Sequence, residues 1–385
     1  MAALPTPQAQ GKRPLFAATP VLDPVAKPPP SFHQPSSSSA GPGPAAPRPA
    51  KRARTTAAPN GNYRGYYARR RQGESARPDA ADDRVALIPP QWVAGRRLLD
   101  VGCNAGAVTV ELAQRRGAAK VVGVDIDPEL VRAARKHADL AWSRQSPLQR
   151  LVDEAAHLAA SPSSTVPLPA LELDESTSPF TAAAPAYFPA SLARMFGFLP
   201  APRTAPGLLT TLHPQAEVET QGVLRRGKRK VMPREVRAFP ENVRFVCADW
   251  VNDEIADDRD GYDVIVAFSV TKWIHLHSLN AGLLTFFRRA FDALLPGGKL
   301  ILEPQPFSTY ARSARAEPLL QANYARLREG AEKGWRAEDG DFERVLIELV
   351  GFEKRELLGE TGRVGSTFRR PVEAYTKRGG GSWGV

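Results

Sequence analysis

The chain has 385 residues, with 52 lysines and arginines against 41 acidic residues and a net charge of +11. That length accommodates one large or two modest domains, and the basic balance favours a polyanionic partner, nucleic acid ahead of an acidic membrane. Two cysteines, Cys103 and Cys247, supply neither a disulfide framework nor a zinc set, and both lie in segments that read as buried, which points to a reducing compartment. No apolar run reaches the roughly 18 residues that span a bilayer, so no membrane is expected, and MAALPTPQAQGKRP has no apolar signal core.

Residues 1–60 contain fourteen prolines and the run SSSS. Such a segment buries too little apolar surface to offset its ordering entropy and reads as disordered. Within it PAKRAR, at 49–54, reads as a nuclear localisation signal or as a solvated charge run. NYRGYYARRR at 62–71 then interleaves tyrosines with arginines. RRLLDVGCNAG (96–106) predicts a strand and a glycine-bearing turn, AVTVELAQRRG (107–117) a helix, and AKVVGVDID (119–127) a second strand. PELVRAARKHADLA (128–141) opens on a helix-start proline and has apolar residues at helical spacing. This β-α-β-α order opens a parallel sheet.

The pattern then lapses. Residues 143–237 are rich in Pro, Ser and Ala and end in the basic run LRRGKRKVMPREVR. A structureless loop of that length is foreign to a compact domain, so it is read as a disordered insertion between two parts of one domain, 61–142 and 238–378. VRFVCADW and YDVIVAFSV are the third and fourth predicted strands, NAGLLTFFRRAFDALLPGG (280–298) a helix with a glycine stop, and KLILEPQPF (299–307) the fifth strand. A helical region spans 314–350, and GFEKRELLGE and RRPVEAYTKR supply two last strands before a short tail at 379–385. The fold class is therefore α/β, with a Rossmann-like, mostly parallel sheet of seven strands.

LDVGCNAG sets a tight turn after the first strand, and Asp125 closes the second strand 23 residues after Gly102. A carboxylate there can accept from both ribose hydroxyls of an adenosine lying over the turn. A dinucleotide site wants GxGxxG, and Gly102-Cys103-Asn104-Ala-Gly106 lacks that spacing. Asp249 follows the third strand, at the adenine position of many methyltransferases, and LLPGG before the fifth strand also resembles class I methyltransferases. S-adenosylmethionine is favoured over a nicotinamide cofactor.

In order, GNYRGYY, LLDVGCNAG, VGVDID, FSVTKWIHLH, FFRRAFDALLPGGKLILEPQPF and FRRPVEAY resemble the bicoid-interacting protein 3 family over about 61–142 and 238–378. The resemblance implies transfer of a methyl group from S-adenosylmethionine to a phosphate oxygen at an RNA 5′ end. It implies a small noncoding RNA, 7SK- or U6-like, as substrate, with its ribonucleoprotein proteins as partners, a nuclear location, and a monomer outside the particle. A second branch acts on monophosphorylated tRNA ends and usually lacks a lysine in the TKW position, so Lys272 tilts the chain toward 5′-triphosphate ends and the γ-phosphate.

By the same resemblance, Tyr67, Arg84, Gly102, Cys103, Asn104, Asp125, Ile126, Asp249, Trp250 and Phe268 match cofactor-contacting positions. The family often has Asn-Tyr where Asp249-Trp250 stand. Tyr66, Arg70 and Lys272 match positions near the RNA 5′ end, with Lys272 and Tyr66 closest to the chemistry. Glu303, Gln305 and Phe307 end the fifth strand beside them, in a shaping role. Arg69 stands for an expected aromatic and Phe307 for a tryptophan. His275 reads equally as a substrate contact or a structural hydrogen bond, and His277 as a solvated loop residue. A methyltransferase acting on a small molecule or protein would leave NYRGYYARRR and the +11 charge unexplained. A non-catalytic RNA-binding module that stabilises a particle is compatible with the same residues.

Overall fold

In the computed structural model the described residues are 60–61, 66–70, 81–146, 187–200, 237–329, 333–362 and 369–379; the side chains of Ala68 and Arg69 are not among them. PAKRAR, the basic run up to 236 and the tail from 380 lie outside the described residues.

The strands are β1 (Arg97–Val101), β2 (Lys120–Asp125), β3 (Val243–Cys247), β4 (Tyr262–Phe268), β5 (Leu294–Glu303), β6 (Phe352–Thr361) and β7 (Arg370–Lys377). They make one sheet in the order β3-β2-β1-β4-β5-β7-β6. The first five pair in parallel, and β7 runs antiparallel to both β5 and β6. Central parallel strands are covered on both faces, which is why β4 reads as the nearly unbroken apolar run YDVIVAF. The two-residue period of a strand splits β1 between two cores. Leu98 joins one cluster with Val110 and Val264, and Leu99 joins another with Phe286 and Leu346.

Around the sheet lie α1 (Tyr66–Arg70), α2 (Asp83–Ala86), α3 (Ala107–Gln114), α4 (Pro128–Arg144), α5 (Ala190–Phe196), α6 (Thr271–Ala293), α7 (Tyr310–Ala314), α8 (Pro318–Glu329) and α9 (Asp341–Arg344). The start of α4 is set by Asp127, whose carboxylate accepts from the Glu129 amide, and by Pro128 at the first helical position. Because β1 neighbours β2 on one side and β4 on the other, a crevice opens at its carboxyl end.

Four sequence expectations are corrected. The inserted segment is not structureless throughout. Residues 143–146 continue from α4, and 187–200 are tied to its end by bonds from Leu199 to Ser143, Phe188 to Arg144 and Trp142 to Pro200. The fifth strand stops at Glu303, since Pro304 and Pro306 have no amide for the ladder. Cys247 is exposed, because β3 is the edge of the sheet.

The fourth correction concerns the long helix, which begins at Thr271 and carries a kink at Leu279 (φ 56, ψ −163). Lys272 to Ser278 thus form a separate helical piece at the carboxyl end of β4. His277 is helical and half-buried there, where the sequence suggested a solvated loop. A left-handed φ at leucine costs energy, and local bonds hold it: His275 Nε2 donates to Asn280 Oδ1 at 2.8 Å, and the Trp335 amide donates to the same oxygen at 3.1 Å.

Candidate active site

The crevice at the ends of β1, β2 and β3 is a cleft of about 340 Å³, within the range of small-molecule sites. Gly102, Asp125, Ile126, Asp249 and Trp250 line it, together with Val270, Trp273 and His277 from the start of α6. Gly102 has φ +74, and a Cβ there would stand 3.0 Å from Val270 Cγ2, so only glycine leaves the turn this close to α6.

Asp125 is the polar anchor of the cleft. Its Oδ2 accepts from the Asn104 amide at 2.8 Å and its Oδ1 from the Asp127 amide at 3.0 Å. Each oxygen keeps a lone pair for a ribose hydroxyl. Burial raises its pKa, and the two amide bonds oppose that rise. Ile126 remains 45 % exposed, an apolar wall suited to a flat base. Asp249 is turned partly inward on itself, accepting from the Val251 amide and the Asn252 side chain.

Other expected cofactor positions sit differently. The Cys103 side chain is buried in the core under the turn; burial raises its pKa and leaves an inert thiol. Trp250 is 2 % exposed, its ring edge-on to Phe286 and its Nε1 donating to Asp258. Its aromatic face is therefore in the core and not open to a base. Arg84 is 1 % exposed and bound by Asp82 at 2.7 Å and Glu303 at 3.3 Å, with its guanidinium 4.7 Å above the Phe268 ring. Tyr67 packs against the same core. Arg84, Tyr67 and Phe268 make the floor beneath the strand ends, with all three side-chain nitrogens of Arg84 donating to Asp82 or Glu303.

Beside the cleft, at the ends of β4 and β5, lies a cationic cluster. Its hub is Glu303, which is fully buried. Arg70 Nη2 donates to Glu303 Oε1 at 2.7 Å and to Thr361 at 2.8 Å, and Ser269 donates to Glu303 Oε2. The Tyr66 hydroxyl donates to Ser269 at 3.0 Å, and Arg370 Nη1 donates to the same oxygen at 2.9 Å. Burial raises the Glu303 pKa, but Arg84, Arg70 and Arg370 outweigh it and hold the carboxyl below its ordinary range. Glu303 is thus a buried counter-charge that orients arginines.

Lys272 sits in the first turn of α6, 8 % exposed, its ammonium 5.2 Å over the Trp273 ring and 3.5 Å from Thr309 Oγ1. Among the described residues no carboxylate pairs with it. Burial, with Arg370 and Arg312 nearby, lowers its pKa to about 8. Gln305 fixes this turn: its Nε2 donates to the Ser269 carbonyl at 2.6 Å and its Oε1 accepts from the Lys272 amide. Gln305 shapes the site from within and is itself buried.

Two residues that the sequence set beside the substrate, His275 as either a contact or a structural hydrogen bond and Phe307 in a shaping role, lie in the interior. His275 is fully buried, donates to Asn280 across the kink and accepts from the Tyr310 hydroxyl at 3.3 Å; burial lowers its pKa to about 4. Phe307 is buried among Tyr310 and Tyr324, with Arg336 stacked 4.8 Å above it. Conversely, Arg370, Arg312, Ser269 and His277 join the site without having been assigned to it. Arg370 was visible in FRRPVEAY. Its place follows from β7 running antiparallel, which brings its first residue to the carboxyl ends of the parallel strands. Ser269, at φ 59, is strained where β4 leaves the sheet, a backbone feature with no sequence signature.

Comparison with known proteins adds identity to this geometry. Residues 262–377 match the family model described as Bicoid-interacting protein 3, and residues 98–165 match a methyltransferase domain. The chain is 33% identical over 321 residues to the mouse 7SK snRNA methylphosphate capping enzyme, covering 82% of this chain and 40% of the relative. The human protein of the same name is 30% identical over 82% of this chain and 39% of its own length. The Drosophila melanogaster U6 snRNA methylphosphate capping enzyme Amus is 25% identical over 82% of this chain and 74% of its own. The chain thus spans about two fifths of the mammalian relatives. S-adenosylmethionine is the cofactor of a methyltransferase domain, and the Asp125 carboxylate, the close Gly102 turn and the apolar Ile126 wall fit its adenosine.

Proposed function

Because the chain belongs to the Bicoid-interacting protein 3 family, we propose that it methylates a terminal phosphate oxygen at the 5′ end of a small noncoding RNA, the γ-phosphate of a 5′-triphosphate. The observation that carries this reading is Lys272, a buried ammonium with no carboxylate partner among the described residues and with Arg370 and Arg312 beside it. A buried ammonium without a carboxylate partner among the described residues, with two arginines beside it and a small-molecule cleft next to it, favours a polyanion. The relatives named for 7SK and U6 snRNA support a nuclear small RNA as the class of substrate.

When bound, S-adenosylmethionine supplies a methyl group already activated by the sulfonium charge. A terminal phosphate oxygen is anionic near neutral pH, so the protein needs no general base. Its work is alignment, which contributes up to roughly 7–11 kcal/mol in well-oriented reactions. Asp125 holds the ribose end of the donor. Lys272, Arg370 and Arg312 gather phosphate oxygens as charge-assisted donors, and Tyr66, fixed by Ser269, stands beside them. Glu303 keeps the arginines pointing one way and partly neutralises them, so the attacking oxygen retains its negative charge.

Labelled S-adenosylmethionine incubated with RNAs bearing 5′-triphosphate, monophosphate or hydroxyl ends tests the proposal. Label is expected on the triphosphate RNA. Label on the monophosphate RNA alone would select the tRNA-type activity, and label on none would leave RNA binding as the function.

A further inference from the structure

Asn60 and Gly61 lie at the cleft although 41 residues separate Asn60 from the turn at Val101. Asn60 is a lining residue, and Gly61 rests directly on the indole of Trp273. Gly61 has φ +71, and a Cβ built there would stand 2.1 Å from Trp273 Nε1, 2.3 Å from Cε2 and 2.6 Å from Cδ1. No side chain fits in that space, and the left-handed backbone would strain any residue but glycine.

Trp273 has several faces, and all are used. One borders the cleft, and another packs into the cluster of Leu276, Phe307 and Tyr310. The ring also carries the Lys272 ammonium at 5.2 Å, while its pyrrole edge receives Gly61. A ring held by a hydrophobic cluster is a rigid seat. The peptide at Asn60–Gly61 therefore borders the cleft and ends on the residue that supports Lys272.

We propose that Gly61 and Trp273 form a clasp in which the Asn60–Gly61 peptide, seated on the indole, closes the methyl-donor cleft and retains the donor. This rests on the reading of the cleft as an S-adenosylmethionine site, and it assigns positioning roles to Gly61 and Trp273 that the cofactor-contacting positions do not include. The clasp touches the donor side through Asn60 and the phosphate side through Trp273 and Lys272. Its loss separates the two ligands' geometry as well as shortening donor residence.

The test is a double-mutant cycle on the full chain, with S-adenosylhomocysteine as probe. Gly61→Ala is expected to weaken binding by tenfold or more in isothermal titration. Trp273→Phe removes the pyrrole edge that the new methyl would strike. In that background the Gly61→Ala penalty is expected to shrink to threefold or less. Binding by Gly61→Ala within twofold of wild type overturns the clasp and leaves the cofactor reading intact. Equal penalties in both backgrounds also overturn it, since the defect would then be backbone strain and not the contact. Failure of the wild type to bind S-adenosylhomocysteine overturns both.

Discussion

Arg84 and Glu303, 219 positions apart in the chain, meet at 3.3 Å with side chains 1 % and 0 % exposed. Their pairing welds the segment before β1 to the end of β5, and Arg70 joins the same carboxylate from α1. Breaking a buried pair by removing one partner costs roughly 3–5 kcal/mol, because the other charge is left uncompensated. Glu303→Gln keeps the shape and deletes the charge. It should lower stability by about that amount in urea unfolding, and a loss below about 1 kcal/mol would refute the hub.

Lys272 predicts a pH dependence of RNA binding. Its ammonium is the form that holds phosphate, and burial with Arg370 and Arg312 nearby brings its pKa down to about 8. Affinity for triphosphate RNA should therefore fall as pH rises from 7 to 9, at constant ionic strength in fluorescence anisotropy. Lys272→Arg keeps its charge across that window and should flatten the profile. Equal slopes in both proteins would remove the lysine from the explanation.

His275 predicts an acid limb of stability. Burial lowers its pKa to about 4, opposed by the bond to Asn280, against an ordinary 6.5. The unfolded chain binds this proton more readily than the folded one, so stability is complete above about pH 6.5 and drains as pH falls toward 4. The whole effect is about 3 kcal/mol. His275→Gln should lose that part of the slope in denaturation curves taken from pH 7 to 4, while retaining methyl transfer at pH 7.5.

Asp125→Asn tests the donor site. The neutral amide loses charge-assisted hydrogen bonds to the ribose, worth about 1.5–3 kcal/mol each. One such loss weakens S-adenosylhomocysteine binding by roughly 10- to 150-fold, measurable by titration calorimetry. Unchanged affinity would place the adenosine elsewhere.

Binding of RNA itself should weaken steeply with salt, because phosphate contacts release counterions. Replacing Arg312 by alanine should make the slope of log affinity against log salt about one unit shallower. A change in affinity with no change in slope would mean that Arg312 acts through folding.

The alternation and periodicity of the chain determined the α/β architecture. The β-branched apolar run YDVIVAF suits a strand covered on both faces, and LDVGCNAG supplies the glycines for a turn whose amide meets Asp125. Those are local consequences of sequence, and the cleft formed where they place it. Which side chains face that cleft was decided by the tertiary structure. His275 and Phe307 sit in the same motifs as Lys272 and Gln305, yet a kink at Leu279 and the packing of α7 and α8 turn them inward. Arg370 and Thr361 enter the site only because β7 runs antiparallel to β5 and pairs Arg370 with Thr361 of β6 beyond the end of β5. Gly61 reaches Trp273 across more than two hundred residues of chain, and neither helix nor strand periodicity carries information over that distance. Sequence thus specifies the elements through local sterics and burial, whereas the partners of a buried charge are fixed only when the whole chain has closed around it.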